Sequence, residues 1–193
     1  MKFGEYLRGI EKGESVLIEH TSLSNHPLLF HTIGETYGWE KILVVDIIDS
    51  LLPVLGWLNA AGLQVPMSIA RIKAGGISNW GRVVLELNPH KDPGIFLTIF
   101  TKKLKEYYSE NPGTVTVILN PERVIPIQGG DRRLILSLAN LASAFLGNPN
   151  RKTFYFVNRE IADRSYLALL EETFTRVLVV ENDGKTRIAK SPR

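Results

Sequence analysis

The stretch GESVLIEHTSLSNHPLLF, residues 13–30, decides the fold. Its first part, SVLIE at residues 15–19, is an apolar run with β-branched residues, which is typical of a buried strand. A turn over residues 20–27 follows, and Pro27 suits the first position of a helix that we predict over residues 27–37. A strand that leads through a turn into a helix is the opening unit of a parallel sheet. Ligands bind to such sheets at the carboxyl ends of the strands, so this turn is the first candidate site.

Short apolar runs alternate with helical patterns along the rest of the chain. Further strands are predicted over residues 41–46, 67–73, 82–87, 114–119, 153–157, 176–181 and 185–190. Helices are predicted over residues 49–61, 92–109, 131–146 and 165–174. The hairpin signal at residues 182–184, Asn-Asp-Gly, makes the last strand antiparallel to its predecessor. The pattern predicts an α/β fold with a mostly parallel sheet, helices on both faces and a C-terminal antiparallel hairpin. No linker divides residues 1–193, which we interpret as a single domain.

The composition excludes several classes of protein. A hydrophobic fraction of 44% and a net charge of +3 favour a globular chain over a disordered one. The chain has no cysteine, which excludes disulfides, thiolate metal sites and cysteine nucleophiles. The apolar runs are too short to cross a membrane, and the N-terminus lacks the apolar segment of a signal peptide, so we predict a cytoplasmic protein. The absence of cysteine and the scarcity of methionine and glutamine indicate a thermophilic source.

The turn resembles the opening of the RecA-like ATPase core found in RecA, RadA and KaiC-type proteins. In that family the turn reads G-x-x-x-x-G-K-[ST], and its length is kept here over residues 20–27. The final strand and hairpin, residues 176–193, are similar to the end of the same core. The resemblance implies a RecA-like three-layer fold over nearly the whole chain. The sequence also resembles a small family of hyperthermophilic archaeal proteins that are described as RecA-like and have no assigned activity.

The residues that bind triphosphate in that family are replaced. His20 and Asn25 occupy the positions of the two glycines. In the family, these glycines allow backbone N–H groups to surround the phosphates. His26 occupies the position of the lysine and is mostly neutral at pH 7. Pro27 occupies the position of the serine or threonine whose hydroxyl holds magnesium in the family. Asn120 follows a strand that ends in aspartate in the family. We therefore predict no cofactor and a degenerate phosphate loop, whose candidate binding residues are His20, Thr21, Ser22, Ser24, Asn25, His26 and Asn120.

Two other kinds of site are disfavoured. His20, His26 and His31 lie close in sequence, but a spacing of five between the last two does not suit one helix face, so no metal site is predicted. The chain contains no G-x-S-x-G motif for a nucleophilic serine, and we predict no catalytic residues. Asp46 and Asp49 lie where the resemblance places an acidic residue that activates water; we interpret them as a strand-end residue and a helix N-cap.

The predicted helix over residues 49–61 is apolar on almost every side. A surface helix on such a sheet is expected to keep one polar face. This helix is therefore either buried in the core or in contact with another subunit or a peptide, and both interpretations remain open. The candidate interface residues are Leu51, Val54, Leu55, Trp57, Leu58 and Trp80.

These features favour a catalytically inactive RecA-like domain that binds a protein or peptide, with a homo-oligomer as a further prediction. One alternative is a nucleotide-binding, ATPase-like enzyme whose remodelled loop uses His26 in place of lysine. The other is a nucleic-acid accessory protein that uses the basic tail at Lys185, Arg187, Lys190 and Arg193. With 23 basic against 20 acidic residues, the charge balance disfavours nucleic acid as a partner.

Overall fold

An eight-stranded sheet with the order β4-β3-β2-β5-β6-β1-β7-β8 lies between two layers of helices. The computed structural model describes residues 3–192, so Arg193 of the predicted basic tail lies outside the described residues. All neighbouring strands are parallel except β7 and β8, which form an antiparallel hairpin. The strands are β1 (Ser15–His20), β2 (Ile42–Ile47), β3 (Ala70–Ala74), β4 (Arg82–Leu87), β5 (Thr114–Leu119), β6 (Arg151–Asn158), β7 (Arg176–Val180) and β8 (Thr186–Lys190).

The helices cover the two faces of the sheet and bury a separate apolar cluster on each. The first three helices contribute Leu7, Phe30 and Leu58 to one cluster. Later helices contribute Phe100 and Leu138 to the other. The helices are α1 (Phe3–Arg8), α2 (His26–Tyr37), α3 (Leu51–Ala60), α4 (Pro93–Glu110), α5 (Val124–Ile127), α6 (Arg132–Ser143) and α7 (Arg164–Thr173), with 3₁₀ turns at Trp39–Lys41 and Pro121–Arg123.

The predicted α/β architecture is confirmed, including the C-terminal hairpin. Several boundaries differ from the prediction. β3 begins at Ala70 rather than at residue 67, because the preceding residues form a turn in which Ile69 N donates to Pro66 O at 3.2 Å. α6 begins at Arg132 and ends at Ser143 rather than spanning residues 131–146. Asp131 caps it by accepting from Leu134 N at 2.7 Å.

The prediction that Asp49 caps α3 is wrong. Asp49 has a left-handed backbone (φ 53°), and the helix begins two residues later, at Leu51. The carboxylate of Asp46 takes the capping role, since its Oδ1 accepts from Leu51 N at 3.0 Å. The chain thus makes an extra turn between β2 and α3, and this turn frees Asp49 for a contact with the loop after β3.

The topology places the ends of β1, β5 and β6 side by side at one edge of the sheet. His20 at the end of β1 pairs in register with Asn158 at the end of β6. Asn120, directly after β5, donates its backbone N–H to Phe156 O of β6 at 2.8 Å. The turn after β1 therefore meets the segments that follow β5 and β6, and these carboxyl ends enclose the candidate site.

Candidate functional site

A cleft of about 260 Å³ opens where the turn after β1 faces α3 and the end of β5. Five of the seven predicted binding residues line it: His20, Ser22, Ser24, His26 and Asn120. The other two, Thr21 and Asn25, face the β7–β8 hairpin instead. Thr21 Oγ1 donates to Asn182 Oδ1, and the amide of Asn25 lies over Gly184, where a Cβ would be 2.8 Å from Asn25 Nδ2. The structure thus places Thr21 and Asn25 against the hairpin, where they anchor the turn.

The turn after β1 is closed by its own hydrogen bonds. Ser24 donates to Thr21 O from its N–H at 3.3 Å and from its hydroxyl at 2.9 Å. Leu28 N donates to Asn25 O at 2.9 Å. The N–H of Ser22 donates to the Glu160 carboxylate at 2.9 Å. The N–H groups of Ser22, Ser24 and Leu28 therefore already have partners, and the partner of Ser22 is itself an anion.

Two stacked imidazoles, those of His20 and His26, fill the centre of the turn. Their ring centroids are 3.8 Å apart, with 23° between the planes. Burial lowers the pKa of His20 to about 4, and burial together with the neighbouring His20 lowers the pKa of His26 to about 3. Both rings are therefore neutral at pH 7. His20 Nδ1 lies 3.1 Å from Thr21 O, and since a carbonyl only accepts, Nδ1 carries the proton.

Asn120 stands in a left-handed conformation (φ 53°, ψ 55°) at the end of β5, and the buried Glu122 lies two residues further on. Glu122 Oε1 accepts from Asn158 N at 3.1 Å, while its Oε2 has no hydrogen-bond partner within residues 3–192. Burial raises the pKa of Glu122 to about 7. Sequence reasoning missed Glu122, because a glutamate after a strand has no signal that predicts burial.

The lining of the cleft also includes an exposed aromatic side chain and a cation. Trp57 on α3 is 42% exposed and borders the cleft together with Pro53 and Val54. Arg123, in the turn after Asn120, lines the cleft from the β5 side. Among the described residues, Arg123 makes no ion pair and no side-chain hydrogen bond. It also was not predicted, since an isolated arginine carries no motif.

The candidate interface residues separate into two groups. Leu51, Val54 and Leu58 are at most 3% exposed and pack in the core, so the expectation that these three are surface anchors is corrected. Leu55 and Trp80 are partly buried, and Trp57 is exposed. α3 therefore has one buried face and one open face, which borders the cleft.

Asp46 and Asp49 are bound to a buried arginine. Arg71 Nε donates to Asp46 at 2.9 Å, and its Nη2 lies 2.6 Å from Asp46 Oδ2 and 3.0 Å from Asp49 Oδ1. Arg71 Nη1 donates to the carbonyls of Ser78 and Trp80 at 2.9 and 3.0 Å. Asp49 also accepts from Ile77 N at 2.7 Å. Asp49 thus fastens the loop after β3, and Asp46 joins Arg71 to the start of α3. Neither carboxylate is directed toward the turn after β1.

Other candidate features are accounted for locally. His31 pairs with Glu35 on α2, at 4.0 Å, and stacks edge-on against Trp39. Within residues 3–192, no group of three or more His, Asp or Glu side chains is arranged to hold a metal ion, and no helix is long and apolar enough to cross a membrane. In the basic tail, Lys185 pairs with Asp183 at 2.6 Å, and Lys190 donates to two carbonyls of α7.

Comparisons with known proteins show the family and the fold. A family model described as "Pyrococcus protein of unknown function, DUF257" matches residues 5–192, and no curated protein matches the chain. The solved structure of PH0250 from Pyrococcus horikoshii OT3 is similar to this chain, with 25% sequence identity and a TM-score of 0.82. The match covers 100% of this chain and 94% of that one. Uncharacterized protein PH0321 from Pyrococcus horikoshii, in complex with an unknown peptide, is 14% identical with a TM-score of 0.66, over 99% and 89% of the two chains. An ATPase from the type III secretion system of pathogenic bacteria is 11% identical with a TM-score of 0.59, over 89% of this chain and 52% of that one. The predicted resemblance to a RecA-like archaeal family and the RecA-like fold are confirmed.

Proposed function

The chain belongs to the DUF257 family of Pyrococcus proteins of unknown function, and we propose that it binds a peptide in the cleft beside Trp57 and hydrolyses no nucleotide. One observation carries the proposal: the stacked His20 and His26 rings occupy the centre of the turn that would hold phosphates. Next to this filled turn, the cleft stays open and is bordered by an exposed tryptophan.

The electrostatics of the turn disfavour a nucleotide. A triphosphate needs a fixed positive charge from the loop, but burial keeps both histidines neutral at pH 7. The Glu160 carboxylate on Ser22 N would repel a phosphate at the same position. The alternative in which His26 replaces the lysine would require a ring that is charged near neutral pH, which is inconsistent with a pKa of about 3.

The shape and chemistry of the cleft favour a peptide. At about 260 Å³ it is smaller than the roughly 300–1,000 Å³ of common small-molecule pockets, and it suits one or two side chains. Tryptophan is enriched among the residues that anchor protein and peptide partners, and Trp57 borders the opening. The structural likeness to PH0321, which was crystallised in complex with an unknown peptide, adds support.

The experiment is selection on the purified protein from a random peptide library displayed with free C-termini, followed by affinity measurement on synthetic peptides. Two variants of α3 form a matched pair: Trp57 and Leu52 are 42% and 41% exposed, and only Trp57 lines the cleft. We expect Trp57→Ala to weaken the selected peptides at least about tenfold, as the loss of a contact worth more than about 1.4 kcal/mol would do. Leu52→Ala should bind as the unmodified chain does.

Two results would contradict the proposal. The first is a library that yields no binding sequence, and the second is binding that is equally strong in both variants. The predicted homo-oligomer is a separate proposal, tested by sedimentation at several protein concentrations. Because Leu51, Val54 and Leu58 are buried, α3 could take part in such a contact only through its open face.

A further inference from the structure

We propose that the cleft takes the free C-terminal carboxylate of a peptide, with Arg123 binding the carboxylate and Trp57 contacting the last side chain. This inference rests on the proposed peptide-binding function and adds the chemical group that is recognised. It starts from two residues that line the same small cleft, a cation and an exposed aromatic ring.

Arg123 is the anion-binding group. It is the one residue with a permanently charged side chain among the cleft-lining residues described in the structure; the others are histidine, serine, asparagine, proline, valine and tryptophan. It is partly buried and forms no ion pair within residues 3–192. A guanidinium in this position can donate two parallel hydrogen bonds to a carboxylate, which is among the stronger polar contacts in proteins.

A carboxylate fits the site better than a phosphate does. The cleft offers one positive charge, which balances the single charge of a carboxylate and leaves a di- or trianionic phosphate uncompensated. Phosphate sites also use free backbone N–H groups at a helix start. Here Pro27 has no N–H, and the N–H groups of Ser22, Ser24 and Leu28 already donate to protein oxygens.

A chain terminus fits better than an acidic side chain within a peptide. In a C-terminal residue, the carboxylate and the side chain are attached to the same Cα. One residue can therefore offer its carboxylate to Arg123 and its side chain to Trp57. An internal aspartate or glutamate with an apolar neighbour would need two residues and a backbone that continues past them. A terminal residue places one side chain and the carboxylate in the cleft of about 260 Å³ and needs no continuing backbone there. The apolar character of Trp57, Pro53 and Val54 favours an apolar last side chain.

The test uses labelled tetrapeptides with the sequence Ala-Ala-Ala-X, where X is Leu, Ile, Val or Phe, each as the free acid and as the C-terminal amide. A further amidated peptide, Ala-Ala-Glu-Leu, carries its carboxylate on a side chain. Binding is followed by fluorescence anisotropy. We expect the acids to bind about tenfold or more tightly than the amides, because only the acids offer Arg123 an anion that accepts its hydrogen bonds. Arg123→Gln should remove this preference, and the exposed Arg132→Gln, which lies outside the cleft, should keep it.

The outcomes separate this inference from the proposed function. Equal binding of acids and amides, an acid preference that survives Arg123→Gln, or tighter binding of the Glu-containing amide would each overturn the inference. If library peptides still bind through Trp57 in any of those cases, peptide binding stands without the carboxylate. If no peptide binds at all, both fail. Circular dichroism of Arg123→Gln, which changes a partly exposed side chain, establishes that the variant is folded.

Discussion

Replacing Glu122 by glutamine tests the electrostatics of the site directly. The carboxyl is 3% exposed, and burial raises its pKa from about 4.5 to about 7. The folded chain therefore holds this proton more tightly than the unfolded chain does. The contribution of Glu122 to stability is largest below pH 4.5, and it is lost as the pH rises through 7. At about 1.36 kcal/mol per pH unit, a rise of the pKa from about 4.5 to about 7 corresponds to a total loss of about 3 kcal/mol of unfolding free energy.

Glu122→Gln removes this titration and keeps a side-chain oxygen that can accept from Asn158 N. The free energy of unfolding is measured by guanidinium chloride titration at pH 5 and at pH 8.5. We expect the unfolding free energy of the variant, relative to that of the unmodified chain, to be about 2–3 kcal/mol higher at pH 8.5 than at pH 5. Glu110→Gln, an exposed change at the end of α4, is the matched control and should show no such gain. A difference between Glu122→Gln and the unmodified chain that is the same at both pH values would refute the reasoning.

Three further predictions concern the core and the turn. Trp57→Ala should cost about 1 kcal/mol of unfolding free energy or less, because the side chain is 42% exposed, whereas the buried Leu58→Ala should cost about 2–5 kcal/mol in the same denaturation assay. Arg71→Met leaves the buried Asp46 carboxylate without its partner and should cost about 3–5 kcal/mol; a loss below 1 kcal/mol would contradict the buried ion pair. His26 has a pKa lowered by burial to about 3, so the unfolded chain binds its proton first and the residue destabilises the fold as the pH falls below 6.5. The unfolding free energy of His26→Gln, relative to that of the unmodified chain, should therefore be roughly 2 kcal/mol higher at pH 4.5 than at pH 6.5. The same relative free energy at both pH values would show that the ring is not buried in its neutral form.

The architecture could be predicted because it follows from local patterns. Strands such as β5, with consecutive apolar and β-branched residues, are buried on both faces and are recognised without knowledge of their neighbours. The hairpin at the C-terminus carries its own turn signal, and Asp131 caps its helix through a contact only three residues along the chain. The histidines and the proline in the turn after β1 predicted a degenerate phosphate loop, and this stays a prediction.

The rest of the site depends on contacts between residues that are distant in the sequence. Asp49 looked like a helix cap, but its partners are Arg71 and the loop after β3, which no local pattern could reveal. Thr21 is turned toward the hairpin by Asn182, which is 161 residues away. Arg123 reaches the cleft only because β5 and β1 flank β6 and all three strands end at the same edge of the sheet. Topology therefore decides which residues of a predicted loop face a ligand.

Calorimetric titration with ATP and ADP in the presence of magnesium, at pH 6 and pH 8, tests the central claim most directly. The account predicts no binding heat at millimolar nucleotide at either pH, because the two stacked histidines stay neutral and the N–H groups of Ser22, Ser24 and Leu28 already donate to protein oxygens. Stoichiometric nucleotide binding that strengthens at pH 6 would contradict it, since His26 would then carry the charge that a phosphate loop takes from lysine.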